Sequence, residues 1–295
     1  MATPSPIFMD VRTLLESSRP RARVAWLGAT LTLGLIAVVG IALLGDRNPD
    51  SQGSMEAVST VIIVTLVGCM TAANYLNARA RRREQARIEA AEELVQLRRW
   101  PQAALLLQSI LSQPTYTPLA RLQALVYFSS VLARFHRFED VIVIDEHLLE
   151  TMPLDEAAVH MVKLARATAL LREDRLFDAD RAISDLRHSG PAAQSGGLAL
   201  LEMYRDVKTG HPTEALDTFA KRYELIRQQL GHRLSDAHVL AAKAHDLLNQ
   251  TDQAKAAYQT ATLLAPAVEL HRRYPETMDL ARKFPAHPAP AEVIG

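Results

Sequence analysis

One cysteine, Cys69, stands among 295 residues, so neither a disulfide nor a cysteine-built metal site can form within one chain. It lies inside an apolar run and reads as a small apolar spacer. Net charge is also lacking, since 33 basic residues cancel 33 acidic ones. Residues 1–83 hold 9 Arg and 5 acids (+4), which leaves 24 basic and 28 acidic residues (−4) for the rest. A mildly acidic C-terminal part excludes the basic footprint of a nucleic-acid-binding protein. Lysine is scarce, 6 against 27 Arg, a bias that hints at a GC-rich bacterial genome. No glycine-rich phosphate loop, no G-x-S-x-G and no H-E-x-x-H occurs. Strand signals are missing too: only Val141–Ile144 alternates with period two, and it sits in a helical frame. No catalytic residue, metal site or cofactor is therefore expected, and the chain is not read as an enzyme.

Long uncharged runs are present, in two copies. Val24–Gly45 and Ala57–Ala78 are each 22 residues long, and Arg79, Arg81, Arg82 and Arg83 follow the second. A helix of that length covers about 33 Å, enough for a bilayer core of about 30 Å. Residues 46–56 between them form a turn too short to fold alone. Four arginines precede the first run, five follow the second by Arg87, and the turn has one. The expectation is a two-span transmembrane hairpin in a bacterial inner membrane, with both termini cytoplasmic. Ala25 with Ala29, and Gly68 with Ala72, are small-residue pairs through which such spans would self-associate. Residues 1–23 carry Ile7, Phe8, Val11, Leu14 and Leu15 at helical spacing, either as an interfacial helix or as a loosely ordered end. From Cys69 to Trp100 there is neither proline nor glycine, so the second run should continue as helix beyond the arginines.

After Trp100 the chain repeats itself. Ala103, Val141, Ala179, Ala215 and Ala254 align at steps of 38, 38, 36 and 39 residues. Three places before each stand Trp100, Phe138, Leu176, Pro212 and Thr251; five before stand Arg98, His136, Asp174, Gly210 and Asn249. Twelve before stand Ala91, Ser129, Ala167, Met203 and Ala242, mostly small. Pro114, Pro153, Pro191 and Pro266 follow at eleven or twelve places. Each unit reads as helix, turn, helix and a proline stop. The pattern resembles the tetratricopeptide repeat family over about residues 84–266, although the steps exceed the family's usual length of about 34 residues. Asp145 and Arg222 stand where that family has apolar or small residues. The resemblance implies an all-α solenoid of about five helical hairpins. Residues 267–284 would form capping helices over the end of the stack, and 285–295 a disordered tail.

Such a stack implies a scaffold, membrane-anchored here, that offers a groove to a protein or peptide partner. The alternative is a regulatory or holder subunit of a membrane-associated enzyme. In the resembled family the groove is built from the first helix of each hairpin. Seven places before three anchors stand Arg134, Arg172 and Lys208; eleven before two stand Tyr204 and Lys243. These five are the candidate partner-binding residues, a basic ladder for an acidic or carboxylate-terminated peptide. The competing reading is a set of solvated helix-terminal cations facing the C-terminal dipole; the ladder predicts that replacing Arg134, Arg172 and Lys208 by alanine leaves the fold nearly unchanged and weakens partner binding in a salt-dependent way. His232, Asp236 and His238, and His211 with Glu214, are the nearest approach to metal ligands, but His238 would point away from the other two.

Overall fold

The computed structural model describes residues 8–20, 34, 52–188 and 195–284, with backbone alone for 52–66, 69 and 70. Among these residues every element is a helix. In chain order they are α1 (Val11–Ser17), α2 (Gln52–Gln96), α3 (Trp100–Leu111), α4 (Pro118–Arg134), α5 (Phe138–Thr151), α6 (Glu156–Arg172) and α7 (Leu176–Arg187). There follow α8 (Gly196–Thr209), α9 (Pro212–Gln229), α10 (Leu234–Leu247), α11 (Thr251–Leu264), α12 (Ala267–Arg273) and α13 (Met278–Lys283). Single 3₁₀ turns cover Gly231–Arg233 and Pro275–Thr277.

The repeat is a backbone device. Arg98, His136, Asp174 and Asn249 have φ between 56° and 58°, and Gly210 has φ 77°. These are the five residues that stand five places before the anchors. At each one the chain reverses by the same pair of hydrogen bonds. The following N–H reaches back six residues inclusive, as in Arg99 to the Leu94 carbonyl (2.8 Å), Arg137 to Leu132 (3.0 Å), Arg175 to Leu170 (3.0 Å), His211 to Asp206 (2.8 Å) and Gln250 to His245 (2.9 Å). The left-handed residue's own N–H closes the inner ring, at 3.0 Å for Arg98 to Val95 and 3.4 Å for Asp174 to Leu171. Two orphan carbonyls at each helix end are thereby satisfied. The anchors on the far side of the turn are at most 2% exposed, and the residues twelve places before them at most 5%. Small side chains there let the two helices of a hairpin close on each other.

First helices start differently. Thr117, Asp155 and Ser195 cap α4, α6 and α8 by accepting from the N–H groups of Ala120, Ala158 and Leu198. Asp155, one of two adjacent carboxylates at a helix end, is thus a cap. Second helices α3, α7, α9 and α11 have no side-chain cap, because they leave directly from the left-handed turn.

The chain divides into two units, Met1–Ile144 and Asp145–Gly295. In the first, α2, α3 and α4 pack together around Ile88, Ala91, Leu107, Leu111, Leu125, Phe128 and Leu132. Helix α1 docks on α3. A seven-residue helix is not stable alone in water. It holds here because Val11, Leu14 and Leu15 are buried, each worth roughly 1.5–3 kcal/mol when fully removed from water. Phe8 meets Phe135 edge-on at 5.1 Å. Of the residues that suggested an interfacial or loosely ordered N-terminus, Val11, Leu14 and Leu15 are instead packed core, while Ile7 lies outside the described residues.

In the second unit α6 touches α8 and α8 touches α10, so the first helices of three hairpins form a row. Gly197 permits the first of these contacts: a Cβ there would lie 2.9 Å from Cδ1 of Leu164.

The membrane expectation is overturned. Among the described residues no helix is long and apolar enough to cross a membrane. Helix α2 has the length, 45 unbroken residues, but its uncharged part is interrupted by Ser59, Thr60, Thr65, Thr71, Asn74 and Asn77, and the remainder is charged. The two-span hairpin and the multi-pass inner-membrane placement fall with it. The first run, Val24–Gly45, lies outside the described residues but for Gly34, as do Pro191 and the tail 285–295.

The turn device makes a direct prediction. Gly210→Ala should cost about 1 kcal/mol, the price of a left-handed L-residue, since nothing lies within 4 Å of the added Cβ. Gly231→Ala, in equally open space without positive φ, should be neutral or slightly stabilising. Urea midpoints of the two variants check this, and equal losses would contradict it.

Candidate functional site

The five candidate residues do not form one ladder. Arg134, in the first unit, ends α4 and lays its guanidinium over the Trp100 ring, 5.0 Å from the centroid. The other four belong to the second unit, on α6, α8 and α10, and all reach residues 272–279 of the same chain. Arg172 donates to the carbonyls of Arg273 and Arg272, the latter at 3.2 Å. Tyr204 donates its hydroxyl to Oε1 of Glu276 at 3.1 Å. Lys208 stands 3.1 Å from the same oxygen and 2.8 Å from Oδ1 of Asp174. Lys243 lies 2.6 Å from Oδ2 of Asp279 and 3.7 Å from Asp246.

These contacts follow from the local fold. Seven places before an anchor is the last turn of a first helix, so Arg172 and Lys208 emerge where the left-handed residue turns the chain. Lys208 therefore finds Asp174, the turn residue of the preceding hairpin. The C-terminal segment does more than cover the end of the stack. After Ala265 and Pro266, both extended, α12, the 3₁₀ turn and α13 pack on α10 and reach across α8 to α6. Leu270, Tyr274, Leu280 and Phe284 are at most 6% exposed, while Glu276 and Asp279, three residues apart, face the lysines. Because Arg172 and Lys208 hold this segment, replacing them by alanine removes internal contacts as well as surface charge.

Sequence reasoning missed the centre of this region, Asp236. It is fully buried. Its Oδ2 accepts from Nε of Arg233 at 2.9 Å and from the Tyr274 hydroxyl at 3.2 Å, and its Oδ1 accepts from Arg273. Tyr274 meets Tyr204 edge-on at 5.1 Å. Burial pushes both phenols well above their usual range, so they stay protonated as donors. Burial opposes the charge on Arg233, but Tyr274 and Asp236 outweigh it and raise its pKa. The one available signal was an acid among histidines in a short sequence, which reads more readily as a metal ligand. Asp236 is instead committed to two arginines and a phenol.

Thr277 donates to the Tyr274 carbonyl at 2.7 Å, so its oxygen accepts from Nδ1 of His271, which leaves Nε2 to accept from Tyr258 at 3.0 Å. Ser195 Oγ lies 3.0 Å from Nε2 of His160 but already caps Leu198. Nδ1 of His160 has no hydrogen-bond partner, so the pair lacks the third group that orients a catalytic base. His238 packs against Phe219 at 5.4 Å and Tyr223 at 5.8 Å. What the face holds is carboxylates and helix-terminal carbonyls, by ion pairs and charged hydrogen bonds. No family model matches this chain, and no curated protein or solved structure matches it.

Asp236→Ala should cost about 3 kcal/mol, because two arginines lose the buried carboxylate between them. Glu269→Ala, which removes a half-exposed partner of Arg273 at 3.5 Å, should change stability by less than about 0.5 kcal/mol. Chemical denaturation of both variants compares them; similar losses would show that the buried carboxylate is not central.

Burial lowers the pKa of His160, His238 and His271 below 6.5, helped at His160 by Lys163 and opposed at His271 by Asp279. Their contribution is present above the unfolded value and lost as pH falls through it. Asp140 and Asp206, raised by burial, act oppositely but only in the carboxylate range. Stability should therefore decline as pH drops below about 6.5, and His238→Gln should flatten the decline in thermal melts taken along that range.

Proposed function

We propose that this chain is a helical-repeat scaffold that holds a protein or peptide segment on the face formed by α6, α8 and α10. One observation carries the reading: Arg172, Tyr204, Lys208 and Lys243, from three successive first helices, all converge on the backbone carbonyls and the carboxylates Glu276 and Asp279 of one segment. Side chains brought together from three hairpins over some seventy residues of chain make a recognition surface for carboxylates and carbonyls. The hairpin pattern resembles tetratricopeptide repeats, whose first helices build the partner-holding surface, and that analogy of fold supports the same reading. The ligand class is a segment of another protein that presents two carboxylates beside the carbonyls of a helix end.

Lys208→Glu combined with Lys243→Glu should reduce capture of partner proteins at least about tenfold, as expected for two reversed ion pairs, and raised salt should weaken the wild-type interaction. Lys221→Glu, on an exposed surface pair with Asp217, serves as the control. Affinity capture with quantitative mass spectrometry reads the outcome, and an unchanged partner set in the double variant would sink the proposal.

A further inference from the structure

The face proposed to hold a partner is covered by the chain itself. The same chemistry recurs within the first unit. In the first unit Arg121, 5% exposed, donates from α4 to the Leu15 carbonyl at 2.7 Å and to Ser18 Oγ at 3.1 Å. Thr115 donates to the Ser18 carbonyl at 3.0 Å. In the second unit Arg172 donates from α6 to the Arg272 and Arg273 carbonyls. Each time an arginine of a first helix grips the C-terminal carbonyls of a seven-residue helix, where the backbone lacks intrahelical partners and carries the negative end of the dipole.

The C-terminal segment differs from the N-terminal one in how its charges are shared. Lys208 has Asp174 as well as Glu276, and Lys243 has Asp246 as well as Asp279. Each lysine thus keeps a carboxylate of the hairpins when residues 267–284 leave, so departure strands neither buried charge. The segment's own carboxylates remain partly exposed, Glu276 at 24% and Asp279 at 42%. Its tether is the extended pair Ala265–Pro266. What departure does uncover is the apolar seat of Leu270, Tyr274, Leu280 and Phe284 and the buried Asp236, which keeps Arg233 alone of its three donors, so a replacement must fill the seat and bring donors to that carboxylate.

We propose that residues 267–284 are a resident intramolecular ligand, and that the face beneath them binds a partner segment of the same chemistry: two apolar pairs at i,i+4 spacing, flanking two carboxylates three residues apart. The chain's own segment then competes with the partner and sets the threshold for binding. This rests on the scaffold reading above and specifies its ligand.

The probe is a fluorescent peptide with the sequence of residues 266–284, titrated by anisotropy into the full chain. Wild type, with its face covered, should bind weakly. Glu276→Lys with Asp279→Lys in the chain should bind the peptide about tenfold more tightly, the amount two partly exposed ion pairs supply. Adding Lys208→Glu and Lys243→Glu re-pairs the charges within the chain and should abolish the gain. Circular dichroism confirms that each variant is folded. If the lysine pair unfolds the chain, Glu276→Gln with Asp279→Asn takes its place with a gain of about threefold. Equal binding by wild type and opened variant, or none by a folded opened variant, overturns the resident ligand. Partner capture that still depends on Lys208 and Lys243 would in that case leave the scaffold reading standing.

Discussion

The structure depends on one backbone event repeated five times. A residue with φ near 57°, or 77° where it is glycine, closes two crossed hydrogen bonds at the end of a first helix and aims the next helix back along it. Only Gly210 adopts this conformation without penalty; Arg98, His136, Asp174 and Asn249 adopt it at a cost of about 1 kcal/mol or more for a non-glycine residue, least for Asn and Asp. What offsets the cost lies on either side of the turn. The anchors and their small partners are almost wholly buried against each other, and the apolar seam forms only if the turn is made.

Because the turns are alike, successive first helices lie side by side, and cations seven or eleven places before the anchors come to one face. Three first helices in a row bring Arg172, Lys208 and Lys243 to one side of the second unit, and Asp174, a turn residue, lies within 2.8 Å of a lysine one hairpin on. The charged face is thus a product of the repeat. Its occupant, residues 267–284, comes from outside the repeat and pins itself through Asp236, whose carboxylate is shared by Arg233, Arg273 and Tyr274. A buried carboxylate with three donors rewards one geometry and penalises any other, so it specifies where the segment sits.

The repeat register was legible in the sequence from four aligned columns. The column holding Arg98, His136, Asp174, Gly210 and Asn249 proved to be the column of positive φ, although two of its members are poor candidates for that conformation by residue type. The candidate cations were legible as a column, but their partners were not. Glu276 and Asp279 lie 68 and 36 residues from Lys208 and Lys243 in sequence, and no local pattern links them. Arg134 matched the column and faces Trp100 instead, since position in a repeat says where a side chain starts and not what it meets. The uncharged run Ala57–Ala78 suggested a bilayer span. In the structure it is the first half of a helix whose later turns pack Ile88 and Ala91 into the first unit.

By itself the sequence determined the helical hairpins, their register and the positions of their buried small residues, because these rest on local propensity, periodic burial and turn geometry within about forty residues. It also determined that the helix runs unbroken through Arg79–Arg83 and on to Gln96, because neither proline nor glycine interrupts it there. Only the tertiary structure decided that α1 and residues 267–284 pack on the hairpin helices of their own units, that the basic face is already filled, and that Asp236 is a structural carboxylate. Each of those rests on which distant side chains meet in a low-dielectric setting, where pairing energy depends on the partner reached and not on the residue's own neighbours along the chain.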